Sequence, residues 1–271
     1  MRKNLKAFPQ RNFSRATSSS HRPSGRDCAI VQASRFVRQQ DVVFVGQGLP
    51  VIAAILAKKT HANESVIMNE YGVVDASPST AVELAHPLFA ESATFLCDMV
   101  DALGCLIYHI DIALLGAAQI DRLGNVNTTS IGNYHHPKLR ISGSGGANDI
   151  GALAPKFVLI MDQQNAAKFP KKVDYVTTPG FLSGKKRERE NFGLSGGGPV
   201  AVVTDLGVYR FSRETGEMHL DALFEGISKE EAKSKTGWNL KISDRFRVIP
   251  RPSVGEVNRL HTLDPRKVYV R

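Results

Sequence analysis

The chain has 271 residues, 42% of them hydrophobic and 23% charged, which suits a globular protein with a sizeable core and excludes fibrous or low-complexity classes. No apolar run approaches the roughly 20 residues of a membrane-spanning helix, so no membrane role is expected. The formal charge of +9 belongs to one end: residues 1–26 hold seven basic residues and no acidic one, leaving 28 basic against 26 acidic elsewhere. A nearly neutral body without a basic and aromatic stripe argues against a nucleic-acid partner.

Residues 1–25 are rich in Ser, Arg and Asn, lack hydrophobic periodicity and read as a disordered basic tail ahead of one domain over 26–271. The tail has no apolar core of a secretory signal. Its composition also fits an organellar transit peptide, though without an amphipathic helix, and the expected compartment is the cytoplasm. Three cysteines, Cys28, Cys97 and Cys105, show no CxxC pair or metal-ligand spacing. They suit a reducing compartment and read as small buried hydrophobes.

The folded body opens with helical spacing over Ala29–Arg38, followed by an apolar strand from Asp41 to Val45. Gly46-Gln-Gly48-Leu-Pro50 then turns into a helix through Val51 to Lys59, a strand–turn–helix unit that opens α/β folds. A second strand, Ser65–Met68, runs toward Glu70. Residues Leu106–Ile112 fit either a strand or a helix. A turn at Asp121–Asn125 leads into the extended piece Asn127–Ile131. Further strands are expected at Lys156–Met161, Val173–Thr177 and Pro199–Thr204, and a hairpin arm at Gly207–Arg213 with its turn at Thr215-Gly216. The charged, glycine-rich stretch 182–198 reads as a mobile solvated loop, or as a lip over an anionic cofactor. Ser228 is the expected N-cap of a late helix. The interspersed pattern gives a single α/β domain.

Two features bear on chemistry. Glu70, at a strand end and two residues before Gly72, offers a carboxylate able to attack an activated acyl group. Gly143-Ser-Gly-Gly-Ala147 can form a concave nest of N–H groups for an oxyanion or phosphate. On residue chemistry alone, a glutamate at a strand end is more often a surface charge, and a glycine run is as often an ordinary turn. Gly46-Gln-Gly48 lacks the third glycine of a dinucleotide fingerprint and the Lys-Ser/Thr of a P-loop. His135-His136 has no partner at ligand spacing, so no metal is expected. No Gly-x-Ser-x-Gly elbow is present, and Ser77 and Ser79 flank Pro78 as turn residues.

Several stretches stand in a characteristic order: Gly46-Gln-Gly-Leu-Pro50, Leu56-Ala-Lys-Lys-Thr-His-Ala62, Glu70-Tyr-Gly72 and the run from Gly116 to Thr129. Gly143-Ser-Gly-Gly-Ala-Asn-Asp149, Thr204-Asp-Leu-Gly-Val208 and Thr236-Gly-Trp238 continue the series, which spans about residues 28–265. Together they resemble the β subunit of family I CoA-transferases, nearest the glutaconate type. The resemblance implies a CoA-transferase superfamily fold: α/β, with an open, mostly parallel sheet flanked by helices. It also implies an α-subunit partner, acyl-CoA and carboxylic acid as substrates, and no permanently bound cofactor. In such enzymes Glu70 would be the nucleophile of a ping-pong exchange through a glutamyl-CoA thioester. Gly143, Gly145, Gly146 and Ala147 would lie near the oxyanion or CoA, with the N–H groups of Gly145 and Gly146 the expected donors. One departure stands out: Tyr71 follows Glu70 where the family usually has Ser or Asn. A bulky ring there would narrow the acyl pocket or shift the reaction, and an acyl-CoA hydrolase or lyase on the same scaffold is the alternative.

Overall fold

The computed structural model describes residues 22–270. The tail assigned to residues 1–25 lies outside this range except for its last four positions. There Ser24 already caps α1 (Gly25–Ser34) in a reciprocal capping box, accepting from the Asp27 N–H while the Asp27 carboxylate accepts from Ser24. The chain continues through β1 (Val42–Val45), α2 (Leu49–Thr60), β2 (Val66–Met68) and β3 (Val73–Val74). Next come α3 (Pro87–Ala90), β4 (Phe95–Leu96), α4 (Met99–Gly104) and a 3-10 turn (Leu106–His109) leading to β5 (Ile112–Gly116). The ambiguous Leu106–Ile112 stretch thus divides between a tight helical turn and the start of a strand.

Two small ladders follow, β6 (Gln119–Ile120) with β7 (Val126–Asn127) and β8 (Ser130–Gly132) with β9 (Pro137–Arg140). The remainder holds α5 (Ala147–Leu153), β10 (Phe157–Ile160), α6 (Glu188–Asn191), β11 (Pro199–Val203), β12 (Gly207–Phe211) and β13 (Met218–Phe224). It closes with α7 (Lys229–Ser234), β14 (Lys241–Ile249) and α8 (Val254–Leu263). Ser228 caps α7 as expected, its hydroxyl accepting from the Glu231 N–H.

Among the described residues, ten strands form one sheet in the order β14-β13-β12-β11-β10-β5-β1-β2-β3-β4. Its centre, from β11 to β2, is parallel, with antiparallel pairings on both flanks. Alternation along each central strand sends successive side chains to opposite faces. Val43, Val45, Ile112, Leu114, Val158 and Ile160 pack against α1, α2 and α8, whereas Phe44, Ala113, Leu115, Phe157 and Leu159 build a second core beneath the short helices and arms. Both faces are covered, which is why these strands read as continuous apolar runs. No helix of the described residues is long and apolar enough to cross a membrane.

Three expectations change in the folded chain. Val173–Thr177 forms no strand: the N–H groups of Val173 and Asp174 donate to the side chains of Asp121 and Gln119 instead of to a neighbouring strand. The Asp174 carboxylate accepts from the Gly132 N–H at 2.9 Å and from Gln119, and the one isolated bridge among the described residues is Val126 with Thr178. The cysteines also differ from one another: Cys28 is buried, Cys97 partly exposed and Cys105 exposed, so only the first is a core residue.

The 182–198 stretch is not a wholly solvated loop either. It contains α6, and Arg189 turns inward until it is 9% exposed. Its guanidinium donors reach the backbone carbonyls of Pro179, Gly180, Gly151 and Gly196, at 2.7–3.1 Å. Burial pushes the Arg189 pKa down from its ordinary value. The side chain ties this stretch to α5 and to the loop at 179–180. Arg189→Met removes every donor and leaves the four carbonyls short of partners. A loss on the order of 3 kcal/mol in unfolding free energy is expected, read from the urea midpoint.

Candidate active site

Glu70 owes its position to a turn that its neighbours determine. Asn69, fully buried at the end of β2, uses its side-chain oxygen to accept the N–H groups of Tyr71 and Val73, at 3.0 and 3.3 Å. The Gly72 N–H donates back to the Asn69 carbonyl, which closes the turn between β2 and β3. Gly72 has φ +80, and a Cβ there would stand 1.9 Å from the Cys97 carbonyl oxygen. Only glycine fits, so the Glu-x-Gly spacing reflects the close approach of the segment carrying Cys97. Glu70 and Tyr71 are left at the tip of the turn.

The glycine run meets Glu70 across 76 residues of chain. The N–H of Gly146, the N-cap residue of α5, donates a short hydrogen bond to Glu70 Oε2. Gly145 has φ +48, and a Cβ on it would lie 2.7 Å from Oε2 and 3.1 Å from Oε1. Absence of a side chain is what lets the loop close over the carboxylate. The four glycine-run residues do not play one part. The Gly143 N–H is occupied by the Thr128 carbonyl at 2.8 Å, and that of Ala147 by the Ser144 carbonyl at 3.0 Å. Gly143 and Ala147 line the wall with their N–H groups already occupied. The Gly145 N–H meets no acceptor among the described residues.

Glu70, Gly143, Gly145 and Ala147 line a cavity of about 620 Å³. It opens where β1, β5 and β10 end, the edge of an open parallel sheet where ligands are held. Gly46, Gln47 and Gly48 of the first turn form part of the wall, as do Phe44, Leu115, Ile150 and Met161. The first turn contributes the N-terminus of α2, whose dipole favours negative charge nearby. Tyr71 also lines the cavity and is 46% exposed, so its ring is not buried in the cavity's interior.

Sequence reasoning missed two charged cavity residues, Asp162 and Lys168. Neither lies in a recognisable motif. They arrive through the turn after β10, and only the neighbouring position of β10 and β5 in the sheet brings them to this space. Other matched stretches serve the scaffold. The Thr204 hydroxyl accepts from Leu206 and Gly207, and Asp205 accepts from the Gln164 N–H at 2.9 Å. Burial pushes the Asp205 carboxyl up from its usual range. In Thr236-Gly-Trp238, the Gly237 N–H donates to the Phe169 carbonyl at 2.7 Å. His135 and His136 sit in an exposed turn capped by Asn133.

A family model described as "Coenzyme A transferase" matches residues 107–234. The chain is 36% identical over 256 residues to the B subunit of glutaconate CoA-transferase from Acidaminococcus fermentans, covering 91% of this chain and 95% of the relative. It is 34% identical over 250 residues to the B subunit of 3-oxoadipate CoA-transferase from Pseudomonas knackmussii, covering 90% and 94%. The crystal structure of the Acidaminococcus fermentans glutaconate coenzyme A-transferase superposes with a TM-score of 0.84 at 33% identity, over 92% of this chain and 98% of that one.

Proposed function

The chain belongs to the coenzyme A transferase family, among its B subunits, and from that premise we propose that Glu70 is the residue that accepts CoA. The observation that carries the reading is the meeting of the Glu70 carboxylate with the Gly145-Gly146 loop at the wall of a cavity above the parallel strands.

Gly146 holds Oε2, while Oε1 accepts no hydrogen bond among the described residues and is the attacking atom. Oε1 adds to the thioester carbonyl carbon, and the CoA thiolate leaves to give an acyl-glutamyl anhydride. The thiolate then adds to the glutamyl carbonyl carbon. Negative charge develops on Oε2, which already faces the Gly146 N–H, so the donor is preorganised where charge appears. Collapse expels the first acid, which takes Oε1 with it, and leaves a glutamyl-CoA thioester. A second acid adds to that thioester, expels CoA thiolate, and receives it at its own carbonyl as the carboxylate of Glu70 is restored. The unoccupied N–H of Gly145 is a second donor for the oxyanion on the acyl carbon. Coenzyme A enters as a substrate thioester, and no resident cofactor takes part.

We also take the working enzyme to be heteromeric, with an α subunit as partner. Supporting this is an exposed apolar strip beside Glu70: Phe95 and Leu96 on edge strand β4, with Met99 and Val100 at the start of α4. Cys97, in the same strip, bonds to the turn that carries Glu70 through its N–H to the Gly72 carbonyl at 2.9 Å. A strip of this kind on an edge strand, paired on one side only among the described residues, suits a protein interface. Glutaconate and 3-oxoadipate, the acids named in two relatives, are both dicarboxylic, which makes that class the first to assay.

The test is to incubate the co-expressed complex with acyl-CoA and no acceptor, then digest it and analyse the peptide containing Glu70. A CoA-mass adduct on Glu70, or its alcohol after borohydride, is expected. Continuous consumption of acyl-CoA without acceptor and without adduct would instead favour the hydrolase or lyase.

A further inference from the structure

The cavity wall contains three charged side chains among the described residues: Glu70, Asp162 and Lys168. Glu70 is reserved for the reaction. The Asp162 carboxylate is already matched, since the Arg26 guanidinium reaches it with Nε at 2.6 Å. Lys168 is therefore the cation without an anion. Its ammonium donates one hydrogen bond, to the Asp162 main-chain carbonyl at 3.1 Å, and pairs with no carboxylate among the described residues. An ammonium has three donors, so this one retains capacity for a ligand. Its backbone is held in place, because the Asn165 side chain accepts the N–H groups of Ala167 and Lys168 at 3.0 and 3.1 Å.

The two charges approach the space from different sides. Glu70 follows β2 and Lys168 follows β10, with β1 and β5 between them. Both side chains border one cavity, which leaves room for an acid with a carboxyl group at each end to meet the two. A single carboxylate cannot react at Glu70 and rest on Lys168 together.

We propose that Lys168 is the subsite for the distal carboxylate of a dicarboxylic substrate whose other carboxyl carbon reacts at Glu70. This rests on the reading of Glu70 as the CoA acceptor. The site selects for a second negative charge because Lys168 is part-buried in a largely apolar and glycine-lined wall, where an ion pair is screened less than in water. The phosphates of CoA are the other anions that enter this enzyme, and the experiment separates the two.

The co-expressed complex is assayed with one acyl-CoA donor and two acceptors of equal chain length, glutarate and pentanoate. Wild type is expected to prefer glutarate. Lys168→Met should lower the ratio of kcat/KM for glutarate to that for pentanoate by about 10- to 100-fold, the loss of one charge-assisted hydrogen bond. Lys168→Arg should restore most of the preference. Equal losses with both acids would assign Lys168 to the CoA phosphates or to folding, and no loss, or a wild-type preference for pentanoate, would also overturn the proposal. The Glu70 adduct formed from acetyl-CoA is measured alongside in wild type and variant. If wild type forms no adduct, the Glu70 reading itself fails, whereas an adduct with an unchanged acid preference refutes the Lys168 subsite alone.

Discussion

Glu70→Ala is expected to abolish CoA transfer, with turnover falling on the order of ten-thousandfold or more and no CoA adduct at position 70. The size follows from the mechanism: both intermediates are covalent at this carboxylate, so no route through them survives its removal. The fold should survive, since Glu70 sits at the tip of a turn whose closing hydrogen bonds belong to Asn69 and Gly72. A thermal midpoint near that of the wild type, with transferase activity and adduct both lost, is the expected pair of results. Glu70→Asp is the finer probe. It keeps the charge but withdraws the carboxylate by one methylene from the Gly146 N–H, and a misplacement of about 1 Å can cost on the order of a hundredfold. Retained turnover in Glu70→Ala would remove Glu70 from the mechanism altogether.

The second large effect is expected from Gly145→Ala. The new methyl carbon would be 2.7 Å from Glu70 Oε2, and the residue has φ +48, so the carboxylate and the loop must both move. The backbone strain alone is about 1–2 kcal/mol and should lower the melting temperature by a few degrees. The cost in catalysis should be larger, about a hundredfold or more in kcat, because the displaced group is the nucleophile. Gly146→Ala provides the comparison. Its φ is −76, its new Cβ would meet the flexible end of Leu103 at 2.7 Å and Glu70 Oε2 at 3.0 Å, and its N–H remains in place. A smaller loss of kcat than in Gly145→Ala is expected. Equal or greater damage at Gly146 would mean that the loop acts through α5 packing rather than through the space beside the carboxylate.

Much of the scaffold is readable because local rules and the fold agree. The strand–turn–helix unit from Val42 to Thr60 has β-branched residues, then Gly48 and Pro50, then a run of buried positions through Ala57. Lys156–Met161 and Pro199–Thr204 read as strands because burial on both faces leaves continuous apolar runs. Where local pattern fails, a long-range partner has taken over. Val173–Thr177 has strand composition, yet the Asp174 carboxylate and the bridge to Val126 hold the segment without a ladder. Edge strand β14 is largely exposed, so it shows no clean alternation and its sequence does not announce a strand. The charged stretch around Arg189 looks solvated because composition cannot reveal that four carbonyls from separate segments converge on one guanidinium.

For the site, the sequence alone determined the chemical types and their order: a glutamate two residues before a glycine, a later glycine run, and a set of matched motifs that mark the CoA-transferase family. Those follow from local backbone needs, such as the positive φ at Gly72 and Gly145, which leave a mark in the sequence. Only the tertiary structure decided which glycine amide faces Glu70, that Gly143 and Ala147 have theirs occupied, and that Lys168 shares the same cavity. Those relations arise from the parallel order β10-β5-β1-β2, which gathers strand ends far apart in the chain at one edge of the sheet. Loops at such an edge meet through space, and nothing in their own sequences records which neighbours they will have.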